Sequence, residues 1–111
     1  MRIHDLRDEV GRVFAFEVPN TFLGRRGARR VVGTIPGARI LSPSRERQAQ
    51  SAGAFCEFEL DGEQFSIEEP FGDNSRYWIG PRSASWVPQI AVVRDAFSRA
   101  GFGGWFNRAA G

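Results

Sequence analysis

The chain has 111 residues, 41% of them hydrophobic, with ten Phe and three Trp, and its 15 basic and 13 acidic side chains leave a formal charge of +2. That length and apolar content support one packed core, and a chain so rich in aromatics is not a disordered one. One cysteine, Cys56, and one histidine, His4, exclude an intramolecular disulfide and a Cys/His zinc site, and leave little material for a Ser/His/Asp triad.

All the basic residues are Arg, which reads as the mark of a GC-rich bacterial genome. The opening stretch MRIHDLRDEVGRVFAF is too charged for a signal peptide, and no run is long enough to span a bilayer, so a soluble, cytoplasmic protein is expected. Charge is unevenly shared. Residues 1–50 hold ten Arg against five acids, and residues 51–111 hold five Arg against eight. An anionic partner would be sought on the first half, unless the two halves attract each other within one fold.

Alternation in RVFAFEV predicts a first strand over Arg12 to Val18, with Phe14, Phe16 and Val18 on one face, ended by Pro19 and Asn20. Asn20 or Thr21 then offers a cap, and Leu23, Gly27, Val31 and Ile35 recur every fourth residue, predicting a helix from Thr21 to about Gly33. Pro36 and Gly37 turn the chain into a second strand at ARILS. Residues 43–53 carry no apolar side chain larger than Ala and read as a flexible connection.

The strongest local signal is AFCEFELDGEQFSIEE. Asp61-Gly62 between two alternating runs predicts a two-residue type I′ hairpin, with Leu60 facing Glu63, Phe58 facing Phe65 and Cys56 facing Ile67. One face of this hairpin is apolar, with Cys56 as a small buried hydrophobe. The other carries Glu57, Glu59 and Phe55 opposite Ser66, Gln64 and Glu68, and is read as a solvated acidic face rather than a catalytic carboxylate pair. RYWIG alternates again as a further strand. Pro88 suits a first helical turn, Ile90, Val93, Ala96, Phe97 and Ala100 form an apolar stripe with Arg94, Asp95 and Arg99 pointing away, and Gly101 closes the helix. The glycine-rich tail of residues 101–111, with Trp105 and Phe106, is expected to fold back onto the sheet.

The sum is a single α+β domain, an antiparallel sheet of about four to five strands with one or two helices on one face, in the order β-α-β-β-β-β-α. In outline it resembles a ferredoxin-like fold with an extra strand, a likeness that implies no function.

Function is sought in EPFGDNSRYWIGP, residues 69–81, the stretch densest in groups able to do chemistry. Its residue types also suit a plain turn, with Arg76 tied to Glu69 or Asp73. Read as a site, Asp73, Asn74, Ser75, Arg76, Tyr77 and Trp78 form a partner-binding surface, since Trp, Tyr and Arg most often anchor protein interfaces. The expected role is therefore a non-enzymatic module that binds another protein, with a homo-oligomer also open.

The alternative is nucleic-acid or phosphate binding through Arg25, Arg26, Arg29 and Arg30, which share one stripe of the predicted first helix, although no nucleic-acid motif accompanies them. A third reading is an enzyme using Asp73, Arg76 and Glu69 around a pocket. No metal ligands, cofactor or catalytic constellation are expected.

Overall fold

The computed structural model of the chain describes residues 2–21, 23–41, 54–69 and 75–101. Six strands and two helices follow one another as β1 (His4–Arg7), β2 (Val13–Pro19), α1 (Arg25–Gly33), β3 (Arg39–Leu41), β4 (Ala54–Leu60), β5 (Glu63–Glu68), β6 (Arg76–Pro81) and α2 (Ile90–Gly101). The strands make one antiparallel sheet in the order β1-β2-β6-β5-β4-β3.

The α+β class holds, with six strands instead of four to five. The additional strand is β1, whose sequence HDLR has no apolar alternation and which is strand because β2 supplies a ladder for it. The ferredoxin-like outline does not hold. That fold interleaves its strands through two helical crossovers, whereas β3, β4, β5 and β6 here pair in chain order, and among the described residues α1 is the helix that lies between strands.

The β4–β5 register agrees with expectation at Leu60–Glu63, Phe58–Phe65 and Cys56–Ile67. Asp61 and Gly62 both have positive φ, 50° and 82°, the paired left-handed conformation that a type I′ turn needs. The ladders carry this parity outward: Ile67 stands opposite Ile79, and Ile79 opposite Phe16. These side chains, with Val18, Phe58, Phe65 and Tyr77, line the face on which both helices pack.

One element breaks the parity. A register shift lies between Ala54 and Cys56, and Phe55 is buried in the core next to Cys56 instead of joining Glu57 and Glu59. A bulge of this kind places two successive side chains on one side of a strand. Phe55 then meets Tyr77 edge to face at 4.9 Å.

Helix α1 begins at Arg25, later than the expected Thr21. The Asn20 N–H donates to the Ser75 carbonyl at 3.0 Å, which prolongs the β2–β6 pairing, and Gly24 stands at the N-cap without a side-chain capping bond. Its buried residues are Ala28, Val31 and Val32, flanked by Leu23 and Ile35. The expected stripe of α2 is buried throughout, and Phe97 meets Phe16 edge to face at 5.6 Å, fixing α2 over β2. Arg94 does not simply point away. It donates two hydrogen bonds to Asp5 of β1, at 2.7 and 3.1 Å, and so ties α2 to the edge strand.

Apart from Ala15, the buried apolar side chains among the described residues form one cluster between the two helices and the sheet. Among the described residues no helix is long and apolar enough to cross a membrane. The expected flexible connection at 43–53 and the aromatic tail at 102–111 lie outside the described residues.

Two glycine substitutions test the backbone account. Gly62→Ala places a Cβ at φ 82° and is expected to destabilise the chain by about 1–2 kcal/mol in urea unfolding. Gly33→Ala, at the last helical position with open space around the added methyl, is expected to be neutral or to stabilise by up to about 1 kcal/mol.

Candidate functional site

With both helices on one face, the opposite face of the sheet carries the residues of the other parity. One row crosses the whole sheet, from Leu6 through Ala15, Gly80, Ser66 and Glu57 to Leu41. The next runs from His4 through Glu17 and Trp78 to Glu68. Trp78 thus lies near the middle of the sheet, on the helix-free side, half-buried.

Its position is held by what stands beside it. A Cβ built on Gly80 would come within 2.7 Å of the Ala15 Cβ and 2.8 Å of Trp78 Cη2. The indole therefore lies across Gly80, in space that only a residue without a side chain leaves open, and Ala15 closes the far side. A glycine within a strand marks this kind of close approach.

Polar and charged pairs stand on this face. Arg76 Nη1 donates to Glu17 Oε1 at 3.2 Å. The Ser66 hydroxyl donates to Glu68 Oε2 at 2.8 Å, and Arg39 pairs with Glu59 at 3.4 Å. The face is not the uniformly solvated acidic surface that its sequence implies, because Glu57 and Ser66 are 4% and 5% exposed. Both stand in the inner row, where neighbouring strands shield them, and Glu57 is engaged with a partner.

Of the six residues read as a partner-binding surface, Asp73 and Asn74 lie outside the described residues. Ser75 and Arg76 are exposed, and Arg76 and Trp78 share the helix-free face. Tyr77 does not belong with them. It is 4% exposed and packs in the core against Phe55, since adjacent strand residues point to opposite faces. Burial and then the nearby Glu69 carboxylate push its hydroxyl pKa up.

Glu69 and Arg76 are not partners. Arg25 Nε donates to Glu69 Oε1 at 2.6 Å, whereas Arg76 turns to Glu17, so two of the three residues of the enzyme reading are committed elsewhere. The hydrogen bond from Arg25 to Glu69 also raises the guanidinium pKa. A cleft of about 330 Å³ does open beside Arg76, and it is lined by Arg2, His4, Glu17 and Pro19 instead of Glu69. His4 comes to this cleft only because β1 joins the sheet, which nothing in the local pattern HDLR signals.

The arginines of α1 are largely used within the fold. Beyond its bond to Glu69, Arg25 stacks over the Phe55 ring at 5.1 Å, and Arg29 donates to the Phe55 carbonyl at 2.6 Å. Arg30 has a partner as well, while Arg26 is exposed. Among the described residues no group of three or more His, Cys, Asp and Glu is placed to hold a metal ion. Comparison of the chain with protein-family models, curated proteins and solved structures gives no match.

Cys56 is buried on the core face. Burial pushes its thiol pKa from 9.0 up to about 11, only partly offset by the Arg29 charge, so near neutral pH it lacks the thiolate that a nucleophile needs. Because the folded state holds the proton more tightly, this thiol's contribution to stability is complete below pH 9.0 and is lost as pH rises towards about 11. Urea unfolding is expected to show stability declining over that window, and Cys56→Ser is expected to flatten part of the decline.

The Trp78–Gly80 contact gives a second expectation. Gly80→Ala is expected to cost about 1–3 kcal/mol through overpacking and to shift the Trp78 indole N–H resonance. Adding Trp78→Ala is expected to return part of that loss in a double-mutant cycle on urea unfolding.

Proposed function

We propose that this chain is a non-enzymatic, cytoplasmic binding module that engages another protein through the helix-free face of its sheet, with Trp78 as anchor and Arg76 beside it. The observation that carries this reading is the seating of Trp78 across Gly80. A large aromatic side chain already held in one place loses little conformational entropy when a partner covers it, and it offers broad apolar area within a polar border. The adjacent Arg76–Glu17 pair and Glu68, directly opposite Trp78 on β5, supply part of the polar rim that such an anchor ordinarily has.

The alternative, an anionic polymer held by Arg25, Arg26, Arg29 and Arg30, draws less support. Arg25 is already charge-paired with Glu69 and Arg29 is bonded to the Phe55 carbonyl, so part of the stripe's charge and donor capacity is used within the fold. An enzyme built on Asp73, Arg76 and Glu69 is disfavoured for the same kind of reason, since Arg76 and Glu69 face different partners.

Affinity capture with the wild-type chain, followed by titration of the purified partner, tests the proposal. Trp78→Ala is expected to weaken that complex roughly tenfold or more while circular dichroism shows an intact fold. Undiminished binding by the folded variant would remove Trp78 from the interface. Capture of nucleic acid with a log-log salt slope of about 0.9 for each phosphate neutralised would favour the α1 arginines instead.

A further inference from the structure

The cleft beside Arg76 is chemically unlike the rest of the helix-free face. It sits at the corner where β2 ends and β6 begins, with Pro19 standing opposite Arg76, Glu17 opposite His4, and Arg2 just ahead of β1. Pro19 keeps the floor low. The Asn20 N–H points to β6, so the group Pro19 lacks would have pointed towards β1, whose ladder has already ended at His4.

Among the described residues, two arginines and one histidine line this floor with a single carboxylate. That carboxylate, Glu17, is already engaged by Arg76 Nη1 at 3.2 Å, which uses one of the five N–H donors of the Arg76 fork. Among the described residues, the lining of this space of about 330 Å³, at the lower end of what small-ligand sites occupy, thus carries a positive excess and more donors than Glu17 uses. Among the described residues, no apolar side chain lines it apart from the Pro19 ring.

We propose that this corner binds an oxyanion, a phosphate or carboxylate group held between Arg2 and Arg76 with His4 as a third donor. Guanidinium forks match the geometry of both groups. A cation would meet the wrong charge here, and a large apolar ligand would find no matching wall. The site shares Arg76 and Glu17 with the proposed protein-binding surface but does not require Trp78. Its oxyanion can be free phosphate or the carboxylate of an acidic peptide.

The test is a ¹H–¹⁵N titration of the full chain with sodium phosphate, sodium acetate and a Glu-rich peptide in turn, each at constant ionic strength balanced with chloride. Saturable shifts are expected at residues 2–5, 17–19 and 76–78, complete by roughly 50 mM. Arg2→Ala and Arg76→Ala are each expected to weaken binding roughly fivefold or more, Arg26→Ala not at all. Arg2 lies outside the sheet, so its variant keeps the test sound if Arg76→Ala fails to fold.

Tighter phosphate binding identifies free phosphate or a phosphate ester as the source, and tighter peptide binding identifies a partner's carboxylate. Trp78→Ala is expected to leave phosphate affinity within about twofold, which separates this site from the protein-binding surface. Absence of saturation, shifts confined to residues 25–30, or unchanged binding by the folded Arg2→Ala and Arg76→Ala variants would overturn the proposal.

Discussion

The two-residue turn at Asp61 and Gly62 sets the parity from which the rest of the sheet follows. With both residues at positive φ, the turn twists in the same sense as the strands it joins, and Phe58 is brought opposite Phe65. Their rings stack at 5.2 Å with planes only 9° apart, so the register is held by packing as well as by the backbone. A one-residue slip of β5 against β4 would turn Phe65 and Ile67 outward and bring Gln64, Ser66 and Glu68 beneath the helices. Each further antiparallel ladder copies the choice, to Ile79 and then to Phe16, and the same copying puts Glu17, Trp78 and Glu68 together on the other side.

Among the described residues, helices cover the sheet on one side only. Helix α2 covers β2 through the Phe97–Phe16 contact, and α1 covers the β3–β4 end. Long-range ion pairs pin the helices at either side, Arg94 with Asp5 on the β1 edge and Arg25 with Glu69 at the end of β5. Exposed pairs of this kind contribute only about 0–1 kcal/mol each. Their effect is positional: they spend the charges of the helix side within the fold, while the Arg2, His4 and Arg76 group stays on the open side. Ion pairs join the two halves in both directions, Arg25 and Arg39 with Glu69 and Glu59, and Arg76 and Arg94 with Glu17 and Asp5.

Two features on the helix-free side follow from exceptions to ordinary strand composition. Gly80 leaves room for an indole to lie flat, and Pro19 leaves a low floor between charged neighbours. Both are residues that a strand normally disfavours, and both sit where a side chain or a donor would be in the way. The proposed anchor and the proposed oxyanion corner are adjacent, sharing Glu17 between them, yet they differ in chemistry: one is an aromatic surface, the other a polar cleft.

What was legible along the chain was local. The hairpin register, the buried stripe of α2 and the opposite facing of Trp78 and Tyr77 all follow from short-range periodicity and turn geometry, which act within a few residues. Tertiary structure alone decided the rest. β1 exists because β2 offers it a ladder, and the bulge turns Phe55 inward to meet Tyr77. Arg25 finds Glu69 across 44 positions, and His4 reaches the cleft from the far edge of the sheet. Those pairings join segments distant in sequence, and their free energy depends on which strands become neighbours, a choice no local pattern of side chains encodes.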